Sequence, residues 1–301
     1  MTAQDTASRD AAARERELTE TIRVAVPERS VRADLRAVSI VWRRELIRFR
    51  TDRLRAVTSL VQPVLFLFVL GTGLSGLASR GMPPGVEFKT FIYPGVLAMS
   101  VMFTAIFSAA SVVWDREFGF LREMLVAPVH RWAIVVGKCL GGATVATFQG
   151  VIFLALAGLA HVPYDPVLLL TLVGELLLLS FTLTAFGVMM AARIKQIQAF
   201  MALTQLFVLP LFFLSGALYP LGGLPAWLTV LTRIDPLTYV VYPMRHAVFA
   251  HLPVSPLALN ALSPELTWAG WPVPVGLCLA IVAAMGLIML AIAIAEFRKT
   301  E

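Results

Sequence analysis

The sequence predicts an all-α integral membrane protein. It should have six transmembrane helices, an amphipathic interface helix before the first, a charged cytosolic helix between the second and third, and short re-entrant helices before the last. Three observations predict this. Of 301 residues 58% are hydrophobic and 15% charged, with a mean hydropathy of +0.79, which is too apolar for a soluble globular chain. Several apolar runs reach the ~20 residues that a helix rising ~1.5 Å per residue needs to cross ~30 Å of hydrocarbon. Lys and Arg gather in alternate loops, as the preference of cationic loops for the cytosol requires.

Residues 1–30 are polar and rich in Ala, Thr, Glu and Arg. They contain no apolar run ahead of a small-residue cleavage site, so the expectation is a disordered cytosolic tail and not a secretory signal. Residues 31–55 carry Arg32, Arg36, Arg43, Arg44, Arg48, Arg50, Arg53 and Arg55 against Asp34, Glu45 and Asp52. On a helical projection Val38, Val41, Trp42, Leu46 and Phe49 form one apolar face, and Ile40, Ile47 and Leu54 a second ridge. Such a helix lies at the membrane surface, either as a plain anchor or as one that also touches protein.

The remaining residues, 56–301, form the membrane domain, with spans expected at 56–78, 91–113, 133–160, 167–192, 197–219 and 271–295. Lys138 falls near the cytosolic end of the third, where its side chain is expected to snorkel to the headgroups. Between the second and third spans, Trp114 to Trp132 reads as a helix with Trp114, Phe118, Leu121 and Leu125 on one stripe and Asp115, Arg116, Arg122 and Glu123 off it. Pro128 stops that helix. A cytosolic N-terminus leaves only Arg80, Lys89, Arg233 and Arg245 outside, which also places the C-terminus in the cytosol. Residues 220–270 hold apolar pieces shorter than a span and broken by Pro225, Pro236 and Pro243, as expected for helices that dip into the outer leaflet under cover of protein.

The net charge of +6 belongs beside the apolar runs, so lipid and topology explain it and nucleic acid is not an expected partner. Cys139 and Cys278 lie within apolar stretches and read as small core residues. Gly137-Lys138 lacks the glycine and hydroxyl residue of a phosphate loop. His130, His161, His246 and His251 lack metal-ligand spacing. Ser215 lacks a nucleophile elbow.

Glu175 is the acidic residue deep inside a span, where a carboxylate costs a few kcal/mol unless protonated or paired. It binds a cationic substrate, relays protons or bonds a neighbouring helix. Pro63 and Pro210 interrupt spans and permit kinks, which serve either a pathway or packing. Gln62, Gln205 and Thr204 lie beside them.

Three motifs then converge: Glu117-x-Gly119 leading to Leu125-x2-Pro128 and Arg131; Pro210-Leu-Phe-Phe-Leu-Ser-Gly-Ala-Leu-Tyr-Pro220 followed by Leu224-Pro-Ala-Trp227; and Asp235-Pro236-Leu-Thr-Tyr239 with Arg245. In this order the chain resembles the transmembrane subunits of type 2 ATP-binding-cassette exporters, of the daunorubicin-resistance and nodulation-factor permease kind. The resemblance implies a half-transporter of the bacterial plasma membrane that dimerises and docks two copies of a separate ATPase. ATP and magnesium would be bound by that partner, with no cofactor in this chain. It implies a coupling helix meeting the ATPase through Glu117, Phe118, Gly119, Leu121, Arg122, Glu123 and Pro128. It further implies a substrate route and gate involving Gln62, Pro63, Gln205, Phe207, Pro210, Phe213 and Tyr219, with Glu175 as a further candidate. The cargo would be a hydrophobic or amphipathic drug, lipid or lipid-linked glycan. Asp235 departs from the asparagine frequent at that position. The alternative is a proton-coupled secondary transporter using Glu175, although no paired half of broken helices supports it.

Overall fold

The computed structural model describes residues 30–78, 86–120, 124, 129–222, 224–255, 259, 260, 262–268 and 270–299. The expected tail at residues 1–29 lies outside them. Helix α1, Val31–Thr51, is capped by Ser30, whose hydroxyl accepts from the Ala33 amide at 3.2 Å. The chain breaks at Asp52 and re-enters helix as α2, Arg53–Leu65, continuing through a π-helical segment Phe66–Leu70 and the short turns Gly71–Gly73 and Ser75–Ala78. The π segment begins three residues after Pro63, whose missing N–H loosens the hydrogen-bond ladder there. By length and composition the apolar part, Val57–Gly73, is shorter than a full span.

Among the described residues five helices are long and apolar enough to cross a membrane. The first, Phe88–Glu117, consists of α3, Phe88–Ser108, and α4, Ala110–Glu117, separated by a turn at Ala109. The others are α5, Arg131–Leu154; α6, Pro166–Ala191; α7, Ile197–Leu214; and α10, Val275–Lys299. Two shorter helices, α8, Ala226–Ile234, and α9, Thr238–Ala250, precede the last, as the proline-broken sequence predicts. A two-residue hairpin, β1 Thr267–Trp268 with β2 Trp271–Pro272, leads into α10. Helix α6 packs between α5 and α10, and α3 packs against both α5 and α6.

Three span ends differ from the sequence reading. The third span stops at Leu154 and gives way to a 3-10 turn, Ala157–Ala160. The sixth starts at Val275, because residues 271 and 272 pair in the hairpin. The fifth stops at Leu214, since Gly216 takes a φ of +72° and turns the chain back into the bundle. Ser215 and Ala217 are wholly buried, so their backbone polar groups need protein partners at that depth. The Ser215 amide donates to the Leu211 carbonyl at 3.1 Å, and Arg245 of α9 donates to the carbonyls of Gly216 at 2.7 Å and Ala217 at 3.1 Å with its guanidinium 4.3 Å over the Phe91 ring. Burial holds Arg245 down, to about 9, and pushes the neighbouring-loop carboxyl of Asp235 well up from its ordinary value. Gly95 permits the close approach, as a Cβ there would meet Ala217 at 2.5 Å.

The two apolar ridges of α1 separate as predicted. Val41 is 7% exposed, while Ile40 and Ile47 remain 59% and 64% exposed; Leu54, expected on the same ridge, falls beyond the break at Asp52 in α2. The inward face seats on α5 through a glycine seam. A Cβ at Gly137 would lie 2.8 Å from Val41 Cβ, and one at Gly141 2.7 Å from Glu45 Cβ. Trp42 closes the far end by donating to Thr144 Oγ1 at 3.1 Å. Gly141→Ile should therefore overpack this seam and cost about 1–3 kcal/mol. The check is cysteine crosslinking between α1 and α5: efficient crosslinking in the variant would contradict this packing.

Candidate functional site

The charged residues gather at one end of the bundle, the end predicted to be cytosolic. Lys138 does not snorkel: its side chain is 3% exposed. It donates to Glu45 Oε1 at 2.6 Å, Asp115 Oδ2 at 2.5 Å and Ser111 Oγ at 3.1 Å. Arg44 reaches the other oxygen of Asp115 at 2.5 Å. The expectation fails because the acids it needs come from α1 and α4 and close over it. Lys138 and two carboxylates are therefore buried together, Arg44, 41% exposed, completes the charge balance from the surface, and the cluster fastens α1, α4 and α5 together. Arg48 adds a cation-π contact 4.8 Å from the Trp114 ring.

Four further contacts hold helix ends near this cluster. Asp34, 2% exposed, accepts from the His130 backbone at 2.9 Å and meets His130 Nδ1 at 2.7 Å. Arg116 donates to the carbonyls of Ala191, Ala192 and Ile194 at 3.0, 2.9 and 2.6 Å, and Arg131 to those of Phe297 and Arg298, each at 3.0 Å. Cations are favoured at these carbonyl-rich C-terminal ends of α6 and α10. Glu117 Oε2 accepts from the Ile197 amide at 3.1 Å, which caps α7 where the helix leaves an orphan donor.

The continuous helix expected from Trp114 to Leu125 is interrupted. Helix α4 ends at Glu117, and Gly119 takes a φ of +84°, a left-handed stop that glycine adopts without strain. Trp114 therefore packs inward while Phe118 projects, 71% exposed, so the two do not share the stripe. Leu121, Arg122, Glu123, Leu125 and Pro128 lie outside the described residues.

Beside the ion cluster a cavity of about 440 Å³ opens between α1, α2, α3, α4 and α5. Phe49, Phe103, Phe107 and Trp114 line it with aromatic rings, and Ser59, Gln62, Thr104 and Gln149 with polar groups. Of the residues expected on a substrate route, Gln62 lines this cavity. Pro63 is buried beside it in sequence, whereas Gln205, Phe207, Pro210 and Phe213 lie on exposed parts of α7. Tyr219 is half-buried and donates to the Phe213 carbonyl at 2.8 Å. Glu175 is 4% exposed, and its Oε2 has no hydrogen-bond partner among the described residues. Asp115, Glu45 and Gln149 carry the site and were not singled out from the sequence. A carboxylate in the last turn of an otherwise apolar run is the signal that could have marked Asp115.

Removing one partner from a buried ion cluster strands the opposite charges and costs about 3–5 kcal/mol. Lys138→Met should therefore lower thermal stability in detergent sharply. Arg193→Ala, which breaks the exposed pair with Glu296 at 2.8 Å, should change it far less. Equal shifts in the two melting curves would contradict the buried cluster.

Comparison with known proteins fits this geometry. Nodulation protein J of Rhizobium leguminosarum bv. viciae is 28% identical over 229 residues, covering 73% of this chain and 85% of its own. The inner membrane transport permease YadH of Escherichia coli K12 is 26% identical over 211 residues, 70% of this chain and 82% of its own. YbhR of the same organism, named for multidrug ABC transport, is 33% identical over 166 residues, but these are 52% of this chain and 43% of YbhR. Residues 36–249 match the ABC-2 type transporter family, a range that takes in most of the interface helix, the ion cluster and the cavity. The chain therefore belongs to the ABC-2 type transporter family and is a multi-pass membrane transport permease.

Proposed function

We propose that this permease is the membrane half of an ATP-driven exporter, moving a hydrophobic or amphipathic substrate out of the cytosol while a separate ABC ATPase binds ATP and magnesium. The observation that carries the reading is the hub at the charged end: a neutralised ion cluster and two helix-end clamps, at Arg116 and Glu117, meet on the segment that ends in exposed Phe118. A lever works only if the body behind it is stiff. Displacement at Glu117 and Phe118 would be passed to α7 through the Glu117 cap, to α6 and α10 through Arg116 and Arg131, and to α1 through Lys138.

In this reading both termini are cytosolic and the helical path Arg53–Ala78 acts as a sixth span. Two copies assemble through exposed apolar stripes, Val57, Val61 and Leu65 on α2 with Val69 on the π-helical segment after it, and Leu206, Leu209 and Phe213 on α7. Two copies of the ATPase dock below them. The cavity is where substrate leaves the cytosolic leaflet, because it offers aromatic rings to an apolar body and polar groups to a head group. ATP drives the cycle through its differential binding to two states of the assembly.

A second reading rests on Glu175, a buried carboxyl with an unpartnered oxygen in a span, which suits proton coupling. The two readings separate in proteoliposomes of the permease with its ATPase. Export is expected to need ATP, and Glu175→Gln to leave it unchanged. The permease alone is expected to hydrolyse none. Phe118→Ala should keep the melting temperature, since that side chain is exposed, yet lose most co-purification with the ATPase. Export driven by a proton gradient without ATP would reject the first reading, and undiminished co-purification of the Phe118 variant would reject the docking surface.

A further inference from the structure

Gln149 sits on α5 in the wall of the cavity and is 1% exposed. Thr104 of α3 donates its hydroxyl to Gln149 Oε1 at 2.6 Å, and Gln149 Nε2 is buried with no partner among the described residues. Turning the amide over exchanges its two ends, and Thr104 then accepts instead of donating. Either way one end of the carboxamide lacks a partner. Leaving a buried amide end unpaired is destabilising. Here the unsatisfied group belongs to the wall of a cavity of about 440 Å³, within the ~300–1,000 Å³ range of small-molecule sites.

The charges of the wall narrow what could occupy it. Glu45 is held by Lys138 at 2.6 Å, the Arg48 guanidinium lies 4.8 Å from the Trp114 ring centre, and Asp52 also has a partner. Among the described residues both carboxylates of the lining are therefore engaged, and its guanidinium rests on the Trp114 ring. A cationic head group would give up its water there without gaining a counter-ion, and an anionic one would have to draw Arg48 away from the Trp114 ring. A head that is polar but uncharged gives up less and can take the free end of the Gln149 amide. The body attached to it meets Phe103, Phe107 and Trp114, whose rings suit a flat or aromatic group.

We propose that this cavity, within a single chain, is a binding site for an uncharged aromatic amphipath, with Gln149 as the residue that selects a hydrogen-bonding head. The proposal deepens the export reading, since it rests on taking the cavity as the place where substrate collects. Its test uses no ATPase, so the two can fail separately.

The experiment is equilibrium binding to the purified full chain in nanodiscs, with empty nanodiscs subtracted. The probes share one body: para-heptylbenzamide, para-heptylbenzoate, para-heptylbenzylammonium and para-heptyltoluene. The benzamide is expected to bind about tenfold more tightly than the other three, the worth of roughly one buried hydrogen bond. Gln149→Leu should remove that advantage and leave toluene binding unchanged. Ser59→Trp, which fills the cavity from α2, should abolish binding of the benzamide even if the Gln149 variant does not fold. Equal binding of all four probes, tighter binding of either ion, or benzamide binding that survives Ser59→Trp would overturn the proposal. Preferential benzamide binding by a permease whose ATPase complex exports nothing would uphold the site and reject the export reading; export without benzamide binding would do the reverse.

Discussion

The structure depends on the burial of Lys138. An ammonium at 3% exposure in an apolar helix is tolerable only if carboxylates surround it, and Glu45 and Asp115 do so from two other elements at 2.6 and 2.5 Å. Those acids are then committed to positions that α1 and α4 can reach only by packing on α5. The glycine seam at Gly137 and Gly141 supplies the room. Charge neutralisation and close backbone approach thus enforce the same arrangement, and α1 becomes part of the membrane domain's body as well as a helix with a basic surface.

The two ends of the bundle solve one problem by different means. Irregular backbone near a bilayer must find its hydrogen bonds in protein. At the charged end Arg116 and Arg131 take the last carbonyls of α6 and α10. At the opposite end Arg245 takes the carbonyls of the Gly216–Ala217 turn. In each case one guanidinium satisfies several acceptors at once, which its planar array of donors allows and an ammonium does not. The charged end also leaves Phe118 projecting, so the surface available to a partner is fastened directly to the most constrained part of the molecule.

Much of this was legible in the sequence. Run length placed the long apolar helices, and the three-four spacing of α1 separated Val41 and Trp42 from Ile40 and Ile47 in the way the structure has them. What was not legible were pairings between distant residues. Glu45 read as one acid among arginines because its partner is 93 positions away. Lys138 read as a snorkelling side chain because hydropathy describes a helix alone in lipid, not one lidded by another helix. The fifth span was drawn through Ser215 to Tyr219 because those residues are apolar enough, and the arginine that permits a turn there is 28 or 29 positions on. The break at Gly119 could have been seen, since glycine after a short polar turn is a common helix stop. The cavity and the half-satisfied Gln149 belong to the packing of several helices, and no local pattern marks them.

The central claim is that α1, α4 and α5 move as one stiff body when a partner pushes on the loop after Glu117. Spin labels at the exposed positions Ile40 of α1 and Leu140 of α5, in the permease–ATPase complex, measure this most directly. The account predicts one narrow distance distribution between them, unchanged by ATP, while the distance between Phe118 positions of the two copies shifts. A distribution between positions 40 and 140 that moves or splits when ATP binds would contradict it.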